Sequence, residues 1–306
     1  MTSSGFRVQG SGFVRGSVFV VLGSSFFVLS SRSAPAQTPV ADLKAKFEAR
    51  VQEIAARVDG VVGYSIIDLT NGERAGRLEH ATFPTASAIK LAIVYELFKQ
   101  AEENRVNLDD TLTLERTMAV GGTGVLVEMG TPTLSIRDYA VLMVTLSDNT
   151  ATNVLIDKLG MDRIAARMQG LGLNGTRLRR HMMDTAAARR GEENVSTPAE
   201  LGRLLQTMND AMPEAIALLK KPKENRLRKG LPEGVASADK SGELEGVRVD
   251  AGIVFAKNRP YVLCVMTTFL KDEAEGERAI ESISRAAYEY FSRLGIGGPL
   301  GRRLEP

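Results

Sequence analysis

Phe83-Pro84-Thr85-Ala86-Ser87-Ala88-Ile89-Lys90-Leu91-Ala92-Ile93-Val94-Tyr95-Glu96-Leu97-Phe98 is an apolar run with a serine and a lysine set at its start. From Ser87 to about Glu103 the pattern predicts a helix with apolar residues on nearly every face, which belongs in the middle of a domain rather than on its surface. Upstream, Leu43, Phe47, Val51, Ile54, Ala55 and Val58 recur at helical spacing, so Ala41–Val58 reads as an amphipathic helix that Gly60 stops. Val61–Leu69 follows as a strand. Asn71-Gly72 suits a two-residue turn into a short return strand. Downstream, Ser135–Thr145, Thr150–Leu159 and Met161–Leu171 read as helices, and Thr197-Pro198-Ala199-Glu200 opens another with a cap, a first-turn proline and a capping-box glutamate. Between them, Arg177–Ser196 is a long polar loop without a period, the kind of segment that often carries function. Strands return at Ala236–Ser241, Val249–Ala256 and Tyr261–Leu270, and a helix from about Asp272 to Arg293 closes the chain.

This order predicts an α+β fold, an α/β sandwich. One antiparallel sheet is shared by the two ends of the chain and flanked by helices, and an all-helical lobe is inserted between them. The absence of a βαβ rhythm disfavours a doubly wound parallel sheet. The expected boundaries are residues 1–36 as a leader, 37–82 with 222–296 as the sheet lobe, 83–221 as the helical lobe and 297–306 as a tail. A cleft is expected where the lobes meet.

The 306 residues are 43% hydrophobic and 25% charged, which excludes wholesale disorder and allows a large core. Cys264 is the single cysteine, so no intramolecular disulfide or multi-cysteine metal site can form, and its place in an apolar strand suggests packing. With His80 and His181 as the two histidines, a multi-histidine metal centre is disfavoured, and no cofactor is expected. Residues 1–36 contain Arg7, Arg15 and Arg32, no acid, an apolar run over 17–30 and an Ala34-Pro35-Ala36 cleavage pattern, so they read as an export signal. Without them the formal charge changes from +2 to −1, which leaves no draw toward nucleic acid or anionic membrane. A periplasmic or secreted monomer is expected.

Three short motifs could carry chemistry. Ser87-x-x-Lys90 places a hydroxyl and an ammonium on one helix face, at the positive end of the helix dipole. An apolar setting would favour neutral Lys90 and make it a base for the serine. A helix cap followed by a snorkelling lysine gives the same spelling, and Ser237-Ala238-Asp239-Lys240 repeats it on an expected strand, where i and i+3 face apart. Ser147-Asp148-Asn149 precedes a helix that Asp148 or Asn149 could simply cap. Lys240-Ser241-Gly242 lies on a strand whose glycine would let a substrate backbone approach.

The order of the three, with 60 residues between Ser87 and Ser147 and 93 between Ser147 and Lys240, resembles the motif set of the penicillin-recognising serine enzymes. The resemblance is to the class A β-lactamases and covers roughly residues 41–296. It implies a β-lactamase/transpeptidase-like fold and a small β-lactam as substrate, opened by Ser87 as nucleophile with Lys90 as activator. Ser147 would relay a proton under the influence of Lys240. Asn149 would hold the substrate amide, while Lys240, Ser241 and Arg248 hold its carboxylate. The backbone N–H groups of Ser87 and Glu243, beside Gly242, would form the oxyanion hole. The alternatives are a penicillin-binding protein or DD-peptidase, an esterase-like hydrolase with slow deacylation, and a non-enzymatic envelope-binding or acyl-trapping sensor module.

The chain departs from the family in the long loop, where class A enzymes carry E-x-x-L-N. A gapless count back from Ser196-Thr197-Pro198 brings His181 to the expected glutamate, and a short gap brings Asp184. Glu192 and Glu193 lie nearer the loop's end. His181 and Asp184 are therefore the candidates for activating the deacylation water.

Overall fold

Alternation along the last strand builds the fold. In β9 (Tyr261–Thr268), Val262, Cys264 and Met266 enter one apolar core, while Tyr261, Leu263 and Val265 enter another. A strand buried on both faces needs a layer on each side. The computed structural model describes residues 9, 10, 12, 38–298 and 300–304, and the described residues from 38 onward pack as one unit. The expected leader lies outside the described residues apart from those three.

The sheet runs β2 (Arg74–Arg77), β1 (Val61–Asp68), β9, β8 (Val247–Val254), β7 (Ser237–Leu244), every neighbour antiparallel. Strands from both ends of the chain thus share one sheet, because β1 pairs along its whole length with β9, from Val61↔Thr268 to Asp68↔Tyr261. On one face lie α1 (Pro39–Ala56) and α10 (Glu273–Ile296), joined by aromatic packing. Phe47 stacks on Tyr290 at 4.4 Å, and Tyr261 on Phe291 at 4.2 Å. On the other face lies the helical block of α2 (Lys90–Glu102), α3 (Ile136–Thr145), α4 (Asn149–Leu159), α5 (Met161–Gly170), α6 (Thr185–Arg189), α7 (Pro198–Ala211) and α8 (Pro213–Leu219); the short α9 (Arg226–Lys229) follows. Two pairs of two- or three-residue strands, β3 (Phe83–Pro84) with β6 (Val195–Ser196) and β4 (Thr111–Thr113) with β5 (Thr133–Ser135), tie loops together.

The apolar run that predicts a central helix does form one, but its start is tighter than expected. Ala86–Ile89 is a 3₁₀ turn, and α2 begins at Lys90. Leu91, Ala92, Ile93, Val94 and Leu97 are all buried, so the helix is surrounded, as its uniform apolarity demands. The expected two-residue turn after β1 is instead a connection over residues 69–73. Asp68 dictates the longer path: its Oδ1 accepts from Thr70 N at 2.8 Å and its Oδ2 from Arg259 Nε at 2.8 Å. Thr197 caps α7 as its position predicts, accepting from Glu200 N at 3.1 Å. Glu200 does not reach back but accepts from Gly175 N (2.9 Å) and Thr176 Oγ1 (2.7 Å), which pins the start of the long loop. That loop carries α6, an element its polar sequence conceals. Cys264 is buried, and burial pushes its thiol well above the usual range.

Candidate active site

The 3₁₀ turn, the start of α4 and the outer end of β7 meet around a cavity of about 660 Å³ lined by Ser87, Ser147, Asn149, Ser241, Gly242 and Glu243, with the long loop as its far wall. From 85 to 90, Ser87 alone reaches solvent; its neighbours on both sides are buried. The backbone there is strained. Ala86 has φ +46°, Ser147 +52° and Met183 +65°, left-handed values for non-glycine residues, and all three line the cavity. Each such residue costs about 1–3 kcal/mol, which the surrounding packing must overcome.

Lys90 lies fully buried one turn past Ser87. Its Nζ donates to Ser147 O (2.8 Å), Ser147 Oγ (3.0 Å) and Asn149 Oδ1 (3.2 Å). Desolvation first, then the neighbouring Lys240 charge, drives its pKa well below the lysine range, with Asp148 partly opposing. Lys240 comes from β7 and donates to the same Ser147 Oγ at 3.2 Å and to Ser241 O at 2.9 Å. Burial lowers its pKa to about 8 against the opposing pull of Asp250. Ser147 Oγ is therefore flanked by two lysines from separate elements. The second Ser-x-x-Lys copy behaves as a strand should, since Ser237 Oγ donates to Asp239 Oδ2 at 2.6 Å, away from this cluster.

Asp148 and a glycine-rich loop hold Ser147 in place. Asp148 caps α4 through Ala151 N (2.8 Å), and its other oxygen accepts from Val125 N (2.7 Å) and Leu126 N (2.9 Å). Gly124, at φ +116°, lies so close to the Asp148 carboxylate that a side chain there would collide with it. Thr123 Oγ1 donates to Ser147 O at 2.7 Å, and Asn149 Nδ2 to Gly121 O at 3.2 Å. The run Gly121-Gly122-Thr123-Gly124 is the clue in the sequence to this close approach. On the opposite side, Gly242 passes so near the turn that a Cβ would sit 2.8 Å from Ser87 N. The approach brings the backbone of Gly242 against the N–H of Ser87.

The loop residues fall differently from the count along the sequence. Met182 is the residue fixed against the cavity: its N donates to Asn153 Oδ1 at 2.8 Å, and Asn153 Nδ2 donates to its O at 3.1 Å. Asn153 lies one helical turn after Asn149. His181, the preceding residue, does not line the cavity and pairs with Asp157 at 2.7 Å. Asp184 caps α6, accepting from Ala187 N at 2.9 Å, and Glu192 pairs with Arg190 outside. Glu193 does line the cavity, paired with Arg180 at 2.9 Å. Arg248 is not a lining residue. Its guanidinium is held by Glu277 at 3.0 Å and by the carbonyls of Leu244 and Val247 at 2.9 Å each. Arg180, Met182, Met183 and Glu193 reach the cavity through folding of the loop, which no local pattern announces.

A sequence model described as the β-lactamase enzyme family matches residues 46–291. The imipenem-hydrolyzing β-lactamase of Enterobacter cloacae is 25% identical over 257 residues, spanning 78% of this chain and 87% of its own. The solved structure of PBP-A is similar at 27% identity and TM-score 0.73, with 80% of this chain and 96% of that one covered. A last-common-ancestor class A β-lactamase of Gram-negative bacteria is similar at 25% identity and TM-score 0.74, covering 80% and 99%. The fold, the motif order and these likenesses agree, and the chain belongs to the β-lactamase enzyme family, alongside its class A serine enzymes.

Proposed function

We propose that the chain is a serine β-lactamase that opens the β-lactam ring through an acyl-Ser87 intermediate. The observation that carries this is the Lys90–Ser147–Lys240 cluster beside an accessible Ser87. Burial and the Lys240 charge lower the pKa of Lys90, which favours its neutral amine and would let it accept the Ser87 hydroxyl proton. As Oγ attacks the lactam carbonyl, charge develops on its oxygen, and the N–H groups of Ser87 and Glu243, on either side of the close Gly242 approach, would be its donors. Ser147 Oγ, bonded to both lysines, can pass a proton to the departing nitrogen. Lys240 and the Ser241 hydroxyl supply donors for the substrate carboxylate, a task for which Arg248, held by Glu277, is not free. Asn149 would exchange its Gly121 contact for the substrate amide.

A chromogenic cephalosporin followed by colour and intact mass tests the reading. Sustained colour from the wild type and none from Ser87→Ala supports it; no turnover and no Ser87 adduct overturns it. The residue whose backbone Asn153 pins is Met182, not an acid, and this favours a second reading, a penicillin-binding protein or DD-peptidase that keeps its acyl group. A stable adduct without turnover marks that outcome. The apolar N-terminal segment with its Ala34-Pro35-Ala36 pattern supports export to the periplasm or medium, and no described helix is long and apolar enough to cross a membrane. The N-terminus of the protein recovered outside the cytoplasm reads the cleavage directly.

A further inference from the structure

Hydrolysis of an acyl-Ser87 ester needs a base for the attacking water. The position that Asn153 fixes in the cavity wall carries a thioether, which is only a weak acceptor. Among the described residues, three that carry carboxylates line the cavity: Glu193, Glu243 and Glu245. Glu243 is drawn to Arg226, and Glu245 is exposed in the turn between β7 and β8. The strand pairing decides where Glu193 stands. Phe83 pairs with Ser196 and Pro84 with Val195. Thr85 extends the ladder, donating from both N and Oγ1 to Asn194 O at 2.9 Å each. One residue further along each side come Ala86 and Glu193, so Glu193 is delivered beside the nucleophile's turn.

Its side chain is held at one oxygen. Arg180 Nη2 donates to Oε2 at 2.9 Å, and Oε1 has no partner among the described residues. Arg180 is itself nine-tenths buried. Its Nη1 donates to His181 O at 3.2 Å, and its backbone N donates to Asn194 Oδ1 at 3.1 Å. Its Nε is buried and unpaired among the described residues, so Glu193 is the carboxylate that meets this guanidinium. The result is a carboxylate anchored at one oxygen and open at the other, in the wall of the Ser87 cavity.

We propose that Glu193, oriented by Arg180, is the catalytic base of deacylation; this rests on the acyl-Ser87 reading above. Glu193 Oε1 takes a proton from water as the water oxygen bonds to the ester carbonyl carbon. The carbonyl π electrons move onto the oxygen facing the N–H groups of Ser87 and Glu243. When that carbonyl re-forms, the bond from carbon to Ser87 Oγ breaks, and the proton held by Glu193 passes to Oγ. One water is consumed, the opened acid leaves, and the serine and the carboxylate are restored.

The test compares intact-mass time courses of the wild type and Glu193→Gln mixed with benzylpenicillin. Both are expected to form the Ser87 adduct at the same rate, and the adduct of the variant is expected to last at least about 100-fold longer, the usual loss on removing a general base. Glu193→Asp should recover part of the rate, and Glu192→Gln should deacylate as the wild type does. Wild-type deacylation in Glu193→Gln overturns the assignment, and so does a wild-type adduct as persistent as the variant's. No adduct in either protein removes the acyl-enzyme reading and this assignment with it.

Discussion

Lys240 has a charge that folding makes negotiable. Burial lowers its pKa to about 8, so it is protonated below that pH and increasingly neutral above it. A cation is what a substrate carboxylate needs, so kcat/KM for a carboxylate-bearing β-lactam should fall as pH rises through about 8. Lys240→Arg, whose guanidinium stays charged, should move that fall to higher pH while lowering the neutral-pH rate through altered geometry. A pH–rate profile of both proteins checks this, and an unchanged alkaline limb in the arginine variant would remove Lys240 from the carboxylate role. Lys90 is the contrasting case, since desolvation and the neighbouring Lys240 charge hold its pKa down, suiting it to accept a proton. Residue identity alone does not separate these two lysines; their neighbours do.

Two elements hold the site at its working spacing, and each yields a prediction. At the edge of β7, Gly242 lets the strand lie against the 3₁₀ turn. Gly242→Ala would put a methyl 2.8 Å from Ser87 N and force the strand back. Acylation should drop by about 10²–10³-fold, the scale of losing an oxyanion donor, with little change in far-ultraviolet circular dichroism. Acylation within a few-fold of wild type would show that the turn can yield. On α4, Asn153 satisfies both the N and the O of Met182. Asn153→Ala leaves two buried backbone groups without partners, an expected cost of about 1–3 kcal/mol in denaturant unfolding. Proteolysis of the variant should begin in the segment 177–196, and cleavage elsewhere first would argue against the clamp.

At the scale of the whole molecule, the sheet is stabilised from two sides, and only one side carries the site. Phe47, Tyr261, Tyr290 and Phe291 form a packed aromatic group between α1, α10 and β9, on the face away from Ser87. Phe291→Ala should cost about 3–5 kcal/mol through lost burial and the cavity left behind. Tm should drop by several degrees while activity per folded molecule stays near wild type. A large loss of kcat at a temperature where the variant is folded would mean that the two layers are coupled through β9.

Much of this fold is legible in the sequence. The strands at the two ends, the buried helix after Ser87 and the helical block follow from periodicity, because burying a face imposes its own spacing on the residues. Ser87, Lys90, Ser147, Asn149 and Lys240 form a set in the sequence because the motifs come in a fixed order; in the structure Ser87, Ser147 and Asn149 line one cavity, and both lysines bond to Ser147 behind it. The segment 177–196 was opaque for a physical reason. It has no repeating apolar face, so its path is decided by contacts distant in sequence: Asn153 on Met182, Thr85 on Asn194 and Arg180 on Glu193. Counting along such a loop cannot say which side chain turns inward. His181 and Asp184 turn out to Asp157 and to the α6 cap, while Met182 and Glu193 face the cavity. Arg248 is a similar case, since Glu277, 29 residues on, directs its guanidinium away. The order of chemical groups was thus a property of the sequence by itself. Which of them share solvent, charge and reach was decided only when the two ends of the chain closed one sheet against the helical block.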